Sequence, residues 1–379
     1  MKNNLIFFCV SLLASSALLL SCNTEIKNRE YYKTHTKEII DSAKIPAIQI
    51  AYTSPKQNIN FGVGEFECEP NEGIFQGASL SKPILAYIVL KMYNNNQIDI
   101  DTPLYKYTDI DRFTNKEWAK QLTARMVLNH RTGLPNWSAS PTSDKWPTSP
   151  IEFKFRPDSC FSYSGEGISL LQRAVETIKG ATLQEIAQNE VFNILEMPNT
   201  SYEWRTDYEN RALYGYNSEG IKRGRGNFPS GNAAYTIRTT ATDYSKFINE
   251  IMNIYLYSVN SNSAKYKQKC KAEISSEKAA VFFDSKNAIR YAGNPRKCDK
   301  SIFWGLGIGI ENNPELGQII WHWGDNGTFK ALFAIIPSRQ SNIAYFTNSA
   351  HGHDIINQIF KLYFGTTQDT ALSHWILDE

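Results

Sequence analysis

Strand-like patterning sits at the two ends of this chain, and the long stretch between them lacks it. Ala47 to Thr53 and Asn58 to Val63 read as two strands of a meander; Ile302 to Glu311, Gln318 to Trp323, Lys330 to Ile336 and Ile343 to Asn348 read as consecutive strands. From about Asp101 to Arg238 the periodicity is helical with long loops. Leu170, Leu171, Ala174 and Ile178 share one face of a helix over Gly167 to Ile178, and Thr182 opens another over Leu183 to Leu195. No strand ladder is expected there. Further helices are expected over Tyr31 to Ala43, from near Ser79, and over Asp354 to Phe364. The order implies an α+β fold, a mostly antiparallel sheet built from both ends of the chain, flanked by helices, with a helical region inserted. A cleft between two such parts is the default place for a site.

The chain has 379 residues, 42% hydrophobic and 13% aromatic, enough to bury a large core without metal or disulfide staples. Its expected division is 1–21, a signal peptide; 22–30, a polar tether; and 31–365, one domain. That domain has a sheet part over 31–95 and 300–365, a helical part over 96–250 and an insertion over about 260–300. The first segment carries Lys2, an apolar run from Leu5 to Leu20, and Leu19-Leu20-Ser21-Cys22 at its end. It resembles a bacterial lipoprotein signal cut before Cys22, which implies export to the cell envelope and a membrane anchor through lipid on Cys22. Cys68, Cys160, Cys270 and Cys298 then remain, with three full pairings open. Cys270 and Cys298 bracket a hydrophilic segment and are the favoured bridge. With 40 basic residues against 38 acidic ones the net charge is +2. The clusters Lys222-Arg223-Gly224-Arg225 and Lys265 to Lys271 read as solvated loops, not a nucleic-acid surface.

Gly77-Ala78-Ser79-Leu80-Ser81-Lys82 places two serines near one lysine at a helix start. Residues three apart on a helix are neighbours and adjacent ones are not, so Lys82 can lie beside Ser79 but not beside Ser81. Pro83 is compatible, because a proline in the first turn removes only an N–H that has no intrahelical partner. Ser79 would then stand at the positive end of the helix dipole. On the tetrapeptide alone the bland alternative, an N-cap serine with a solvated lysine, is the favoured one, and Ser275-Ser276-Glu277-Lys278 also matches Ser-x-x-Lys.

Three further motifs follow in order: Leu122 to Pro135 (LTARMVLNHRTGLP), Phe161 to Gly167 (FSYSGEG) and His322 to Gly327 (HWGDNG). With FQGASLSK at Phe75 to Lys82 they resemble the serine β-lactamase and penicillin-binding-protein superfamily, in its class C β-lactamase-like branch. That branch also holds D-alanyl-D-alanine carboxypeptidases, D-aminopeptidases and esterases. The resemblance runs from about Ile45 to Phe364, taking in Asp101-Thr-Pro103, Leu195 to Thr200 and Thr240 to Asp243. It implies a β-lactamase/DD-peptidase-like fold and a serine hydrolase without cofactor or metal. The implied substrate is a small-molecule or peptide acyl group of the β-lactam or D-Ala-containing cell-wall peptide class. Ser79 is the implied nucleophile, Lys82 its proton acceptor, and Tyr163 the partner sharing protons with Lys82 and the leaving group. His322 and Gly324 are implied to lie on an edge strand facing the substrate, and the Asp325 N–H to join that of Ser79 in an oxyanion hole. His130 is left structural. For these roles Lys82 must be desolvated or set near another cation, since a free lysine is protonated at neutral pH.

Two positions depart from the pattern. Gly165 stands where the second motif usually has asparagine (Tyr-x-Asn), and His322 where the third often has the lysine of Lys-Thr-Gly. Both weaken the case for β-lactam hydrolysis more than that for acyl-serine chemistry, leaving esterase and D-aminopeptidase activities open. Two rivals come from other classes. His351-Gly-His353-Asp354 lacks the His-x-His-x-Asp spacing of a metal hydrolase and has no second cluster. A non-hydrolysing penicillin or peptidoglycan sensor, acylated once, differs from a hydrolase only in turnover.

Overall fold

The structure is a computed structural model and describes residues 27–284 and 300–378. The signal segment, Cys22 and Cys298 lie outside the described residues, and so does the expected Cys270–Cys298 pair as a pair. Cys68, Cys160 and Cys270 are not bridged to one another.

Helix α1 (Arg29–Ser42) leads into the hairpin β1 (Ala47–Ser54) and β2 (Gln57–Gly64); β3 (Phe75–Ala78) then feeds α2 (Ser81–Asn94). The middle holds α3 (Lys116–Ala119), α4 (Ala124–Leu128), α5 (Gly165–Lys179), α6 (Leu183–Ala187), β4 (Ile237–Thr239) and α7 (Ala241–Val259). After α8 (Ala264–Lys269) and α9 (Ser276–Phe282) come β5 (Ile302–Trp304), β6 (Gly309–Asn313), β7 (Gly317–Asp325), β8 (Lys330–Ile336) and β9 (Ser341–Thr347). The helices α10 (Ile356–Phe364) and α11 (Ala371–Asp378) follow.

Seven strands form one antiparallel sheet in the order β2-β1-β9-β8-β7-β6-β5. The two ends of the chain meet where β1 pairs with β9, Ile48 opposite Thr347. Alternate side chains enter different cores, as the two-residue strand period requires. On β8, Ala331, Phe333 and Ile335 join the core holding α2, α5 and α7, while Leu332, Ala334 and Ile336 join the one holding α1, α10 and α11. Both faces are therefore covered. Within the first core α2 is buried on all sides from Ser81 to Leu90, as its apolar run from Ile84 demands.

The chain departs from expectation in five places. Helix α11 lies past the expected domain end at 365 and buries Leu372 and Trp375 in the second core. Ile302 to Glu311 is two strands, because Gly307 turns the chain at φ +77° and donates its N–H to Leu128 O. A Cβ there would stand 2.5 Å from that of Ala86, so only glycine fits. A short ladder, β3 with β4, lies where β4 was not expected; three and four residues are too few to display a period. Helix α6 passes into a π-helical turn over Gln188–Phe192 in place of continuing α-helix to Leu195. The segment after Asn260 is not wholly a surface excursion, since α9 buries Ala279 and Phe282 in the core beside α7. The second Ser-x-x-Lys is structural: Ser275 Oγ accepts the Lys278 N–H as an N-cap, and Lys278 Nζ lies 3.5 Å over the Tyr93 ring.

Candidate active site

Strand β3 ends at Ala78, whose φ of +47° lies in the left-handed region, and its register against β4 shifts between Gln76 and Ala78. This bulged corner lifts Ser79 out of the strand and drops the chain into α2. Leu80 N donates to Gly77 O at 2.9 Å. Ser81 Oγ donates to Ala78 O at 2.6 Å and accepts from Ile237 N at 2.9 Å. Tyr244 and Tyr202 donate their hydroxyls to Leu80 O and Ser81 O. Ser81 is thus a fully buried strut between β3, β4 and α2. Ser79 is half-buried and lines a cavity of about 440 Å³.

Lys82 enters the same cavity from α2, with Nζ 3.0 Å from Ser79 Oγ and donating to Ala234 O at 2.7 Å. Its residue is 2% exposed. Burial, with no carboxylate beside it among the described residues, pushes the amine well below the ordinary lysine range. Of the two conditions that would make it a base, desolvation is the one met. Nζ also lies 4.7 Å from the centroid of Tyr163, so this tyrosine meets Lys82 through its ring.

Tyr163 sits just before α5, whose N-cap Ser164 accepts the Gly167 N–H. His130, at φ +55°, holds this corner. Its Nδ1 accepts the Ser164 N–H at 3.2 Å, its carbonyl accepts the Ser162 N–H, and its ring lies 4.3 Å from that of Tyr163. Burial, then the proximity of Lys82 and His322, keeps the imidazole neutral. His130 is therefore structural in the sense expected, but it positions the second motif.

The expectation for His322 needs correction. Strand β7 lies between β8 and β6 as far as Trp321 and is an edge only beyond it, yet His322 does not face the cavity. His322 is fully buried, its ring 5.5 Å from Trp304 and 6.3 Å from Tyr163, and it is absent from the cavity lining. Nδ1 hydrogen-bonds Trp323 O at 2.7 Å. Burial, with Lys82 nearby, lowers its pKa to about 3. It supplies no cation at physiological pH.

Past Trp321, where pairing with β6 ends, β7 does have an open side, and it faces the Ser79 turn. A Cβ on Gly324 would stand 2.1 Å from Gly77 O and 3.3 Å from Ala78 Cβ. Asp325 follows in the cavity wall. Its carboxylate is taken by Lys330 Nζ at 2.5 Å and by the Gly327 N–H at 2.7 Å. Asn326 N bonds Phe329 O across the hairpin, so the next pair, Asp325 with Lys330, is a non-hydrogen-bonded one whose N–H points away from β8. That direction is the one an oxyanion donor requires. Gly324→Ala is expected to part β7 from the Ser79 turn, lowering kcat by about 10²- to 10³-fold and stability by about 1–3 kcal/mol. Steady-state kinetics with thermal unfolding checks this; an unaltered kcat would remove β7 from the site.

The missing asparagine at Gly165 has a structural counterpart. A Cβ there would stand 2.4 Å from the Trp137 ring, so the indole occupies the space a side chain would need. Asn136 Oδ1 accepts the Gly165 N–H at 2.9 Å. Glu166, buried, accepts from Ser138 N, Trp146 Nε1 and Arg112, fixing the loop that carries Trp137. Trp137 packs edge-on to Tyr235, and Tyr235 to Phe228. These three aromatic residues, with Asn136 and Arg223, line the cavity beside Ser79 and Lys82. The sequence reading missed all five; Gly165 itself was the signal that another group fills its place.

His351 Nδ1 bonds Asp354, while the buried His353 turns to Ala331 O. Among the described residues no group of three His, Cys, Asp or Glu converges as metal ligands. The model of the family described as Beta-lactamase matches residues 33–360. The chain belongs to the beta-lactamase family. Penicillin-binding protein 4* of Bacillus subtilis (strain 168) is 22% identical over 341 residues, covering 82% of this chain and 70% of that protein. A putative fimbrial assembly protein FimD, serogroup D, of Dichelobacter nodosus is 26% identical over 126 residues, 30% of this chain; the chain spans only 32% of that protein's length. The solved structure of a class C beta-lactamase is 15% identical with a TM-score of 0.69, over 90% of this chain and 98% of that one. That likeness concerns the fold.

Proposed function

We propose that the protein hydrolyses an ester or amide through an acyl-Ser79 intermediate. The observation that carries this reading is Ser79 Oγ placed 3.0 Å from the buried amine of Lys82, whose pKa burial pushes well below the ordinary lysine range. Neutral Lys82 takes the Oγ proton as Oγ attacks the carbonyl carbon. The carbonyl oxygen becomes an oxyanion, stabilised by the N–H groups of Ser79 and Asp325. The C–O or C–N bond to the leaving group then breaks, and the leaving group takes the proton back from Lys82. The face of Tyr163 stabilises the ammonium while it lasts, and the family resemblance adds a proton relay through its hydroxyl. Water repeats the sequence on the acyl-enzyme.

The neutral, buried His322 and the indole over Gly165 remove two groups that a β-lactam would use. They favour an ester or a D-amino-acid peptide of the same superfamily's range. Intact-mass analysis after exposure to a penicillin and to an activated ester, with peptide mapping, is expected to find one acyl group on Ser79 that water then removes. An adduct elsewhere would overturn the nucleophile assignment, and one that never leaves would replace the hydrolase by a sensor. The proposal includes export with lipid on Cys22, supported by the Lys2 and Leu5 to Cys22 pattern. The same mass measurement on chain isolated from membranes tests it; an intact Met1 terminus would remove it. Among the described residues no helix is long and apolar enough to cross a membrane.

A further inference from the structure

The basic loop Lys222 to Arg225 was expected to be solvated, and Lys222, Arg223 and Gly224 are exposed as expected while Arg225 is half-buried. Lys222 pairs with Glu67 at 3.0 Å and lies 3.9 Å over the Tyr214 ring. Arg225 pairs with Glu209 at 2.9 Å and stacks on Trp204 and Tyr214. Gly224 is part of the cavity wall. Arg223 differs from its basic neighbours. Its backbone N–H is tied to Gly215 O, yet its guanidinium has no hydrogen-bond or ion-pair partner among the described residues, and it lines the cavity that holds Ser79.

The loop that presents it is held firmly. Gln76 Nε2 donates to Arg225 O at 2.8 Å, and the buried Arg238 donates to Arg225 O and Gly226 O. Gln76 belongs to β3, which delivers Ser79, and Arg238 to β4. The loop that carries Arg223 is thus tied to the β3–β4 ladder, whose first strand delivers the nucleophile.

A count of formal charges in the cavity wall then decides its polarity. The wall contains two basic residues and no histidine: Lys82, which donates to Ala234 O and Ser79 Oγ and whose pKa burial pushes down, and Arg223. Its carboxylate, Asp325, is already neutralised by Lys330. Arg223 remains as a permanent cation without a carboxylate partner among the described residues, on a side chain with five donors in a planar fork suited to carboxylate.

We propose that Arg223 is a substrate-recognition residue that binds an anionic group, a carboxylate, on the acyl or leaving-group portion of the substrate attacked by Ser79. This takes over from a different element the cation that His322 fails to supply at the third motif. It rests on the hydrolase reading above, and the test separates the two.

Two pairs of activated esters serve as probes: a glutaryl monoester of p-nitrophenol against its carboxamide isostere, and a butyryl ester of a carboxyphenol against its carboxamide isostere. The wild type is expected to favour the charged member of at least one pair by about three- to tenfold, chiefly in KM, as suits an exposed contact. The preference should shrink with added salt, vanish in Arg223→Gln and reverse in Arg223→Glu. Equilibrium binding of the same esters to Ser79→Ala, read by the fluorescence of Trp137 in the cavity wall, gives the preference without turnover. Turnover that survives Ser79→Ala would defeat the hydrolase reading while the binding preference still reports on Arg223. Equal binding of charged and neutral members, or a preference that persists in Arg223→Gln, would overturn the anion site.

Discussion

Ser79→Ala is expected to lower kcat by on the order of 10⁶, the scale on which a serine nucleophile's loss is felt when its base remains, with little change in thermal stability. Ser81→Ala should do the reverse. Ser79 is half-buried and its Oγ accepts from Lys82 Nζ, so its removal takes away the bond-forming atom and little packing. Ser81 Oγ is buried and satisfies both Ala78 O and Ile237 N. Alanine there strands an N–H between β4 and α2, costing about 1–3 kcal/mol, while leaving the Ser79–Lys82 pair in place. Steady-state kinetics and thermal unfolding of the two variants side by side make the comparison. Comparable activity losses in both would mean that the hydroxyl nearer the buried strut takes part in the chemistry, contrary to the geometry of α2.

The choice between these serines was legible in the sequence because it depends on local helix geometry, which three residues of spacing fix. The outer strands were legible for a similar reason. Lys330 to Ile336 appears at its expected bounds as β8, since a strand covered on both faces is apolar throughout and has visible ends. The β3–β4 ladder was not legible. It is short, and its partners are far apart in the chain, yet it sets the corner at Ala78 from which Ser79 projects.

The third motif shows a different limit. Its residue types suggested a histidine at the substrate, but which way His322 points depends on the β7 register and on where β6 stops pairing. Both are properties of the assembled sheet. Likewise Gly165 announced a missing amide, whereas Trp137, which fills the space, and Arg223, in the cavity wall, reach the site on loops. Loop residues carry no period, so nothing in the spacing of the chain ties them to Ser79.

Lys82→Met should lower kcat/KM by about 10²- to 10⁴-fold and also change how stability depends on pH. An unfolded lysine keeps its proton up to about its ordinary pKa of 10.5, whereas in the native chain burial lowers that pKa well below this value. Between the two, the unfolded chain binds more protons than the native one, so this residue makes stability rise with pH across that window and leaves it level below. Methionine has no such term. The stability difference between wild type and Lys82→Met should therefore shift in the wild type's favour as pH climbs towards 10.5, other titrations being common to both. The same proton governs the rate. Lys82 can accept from Ser79 only when neutral, so kcat/KM should fall on the acid side as pH drops through the lowered pKa, and Lys82→Arg, a permanent cation, should be inactive at every pH. Denaturation curves at several pH values and the pH–rate profile test both claims. If the two stability curves stay parallel from neutral pH to 10.5, the amine is carrying its proton in the native site, and a lysine that is already an ammonium cannot be the base for Ser79.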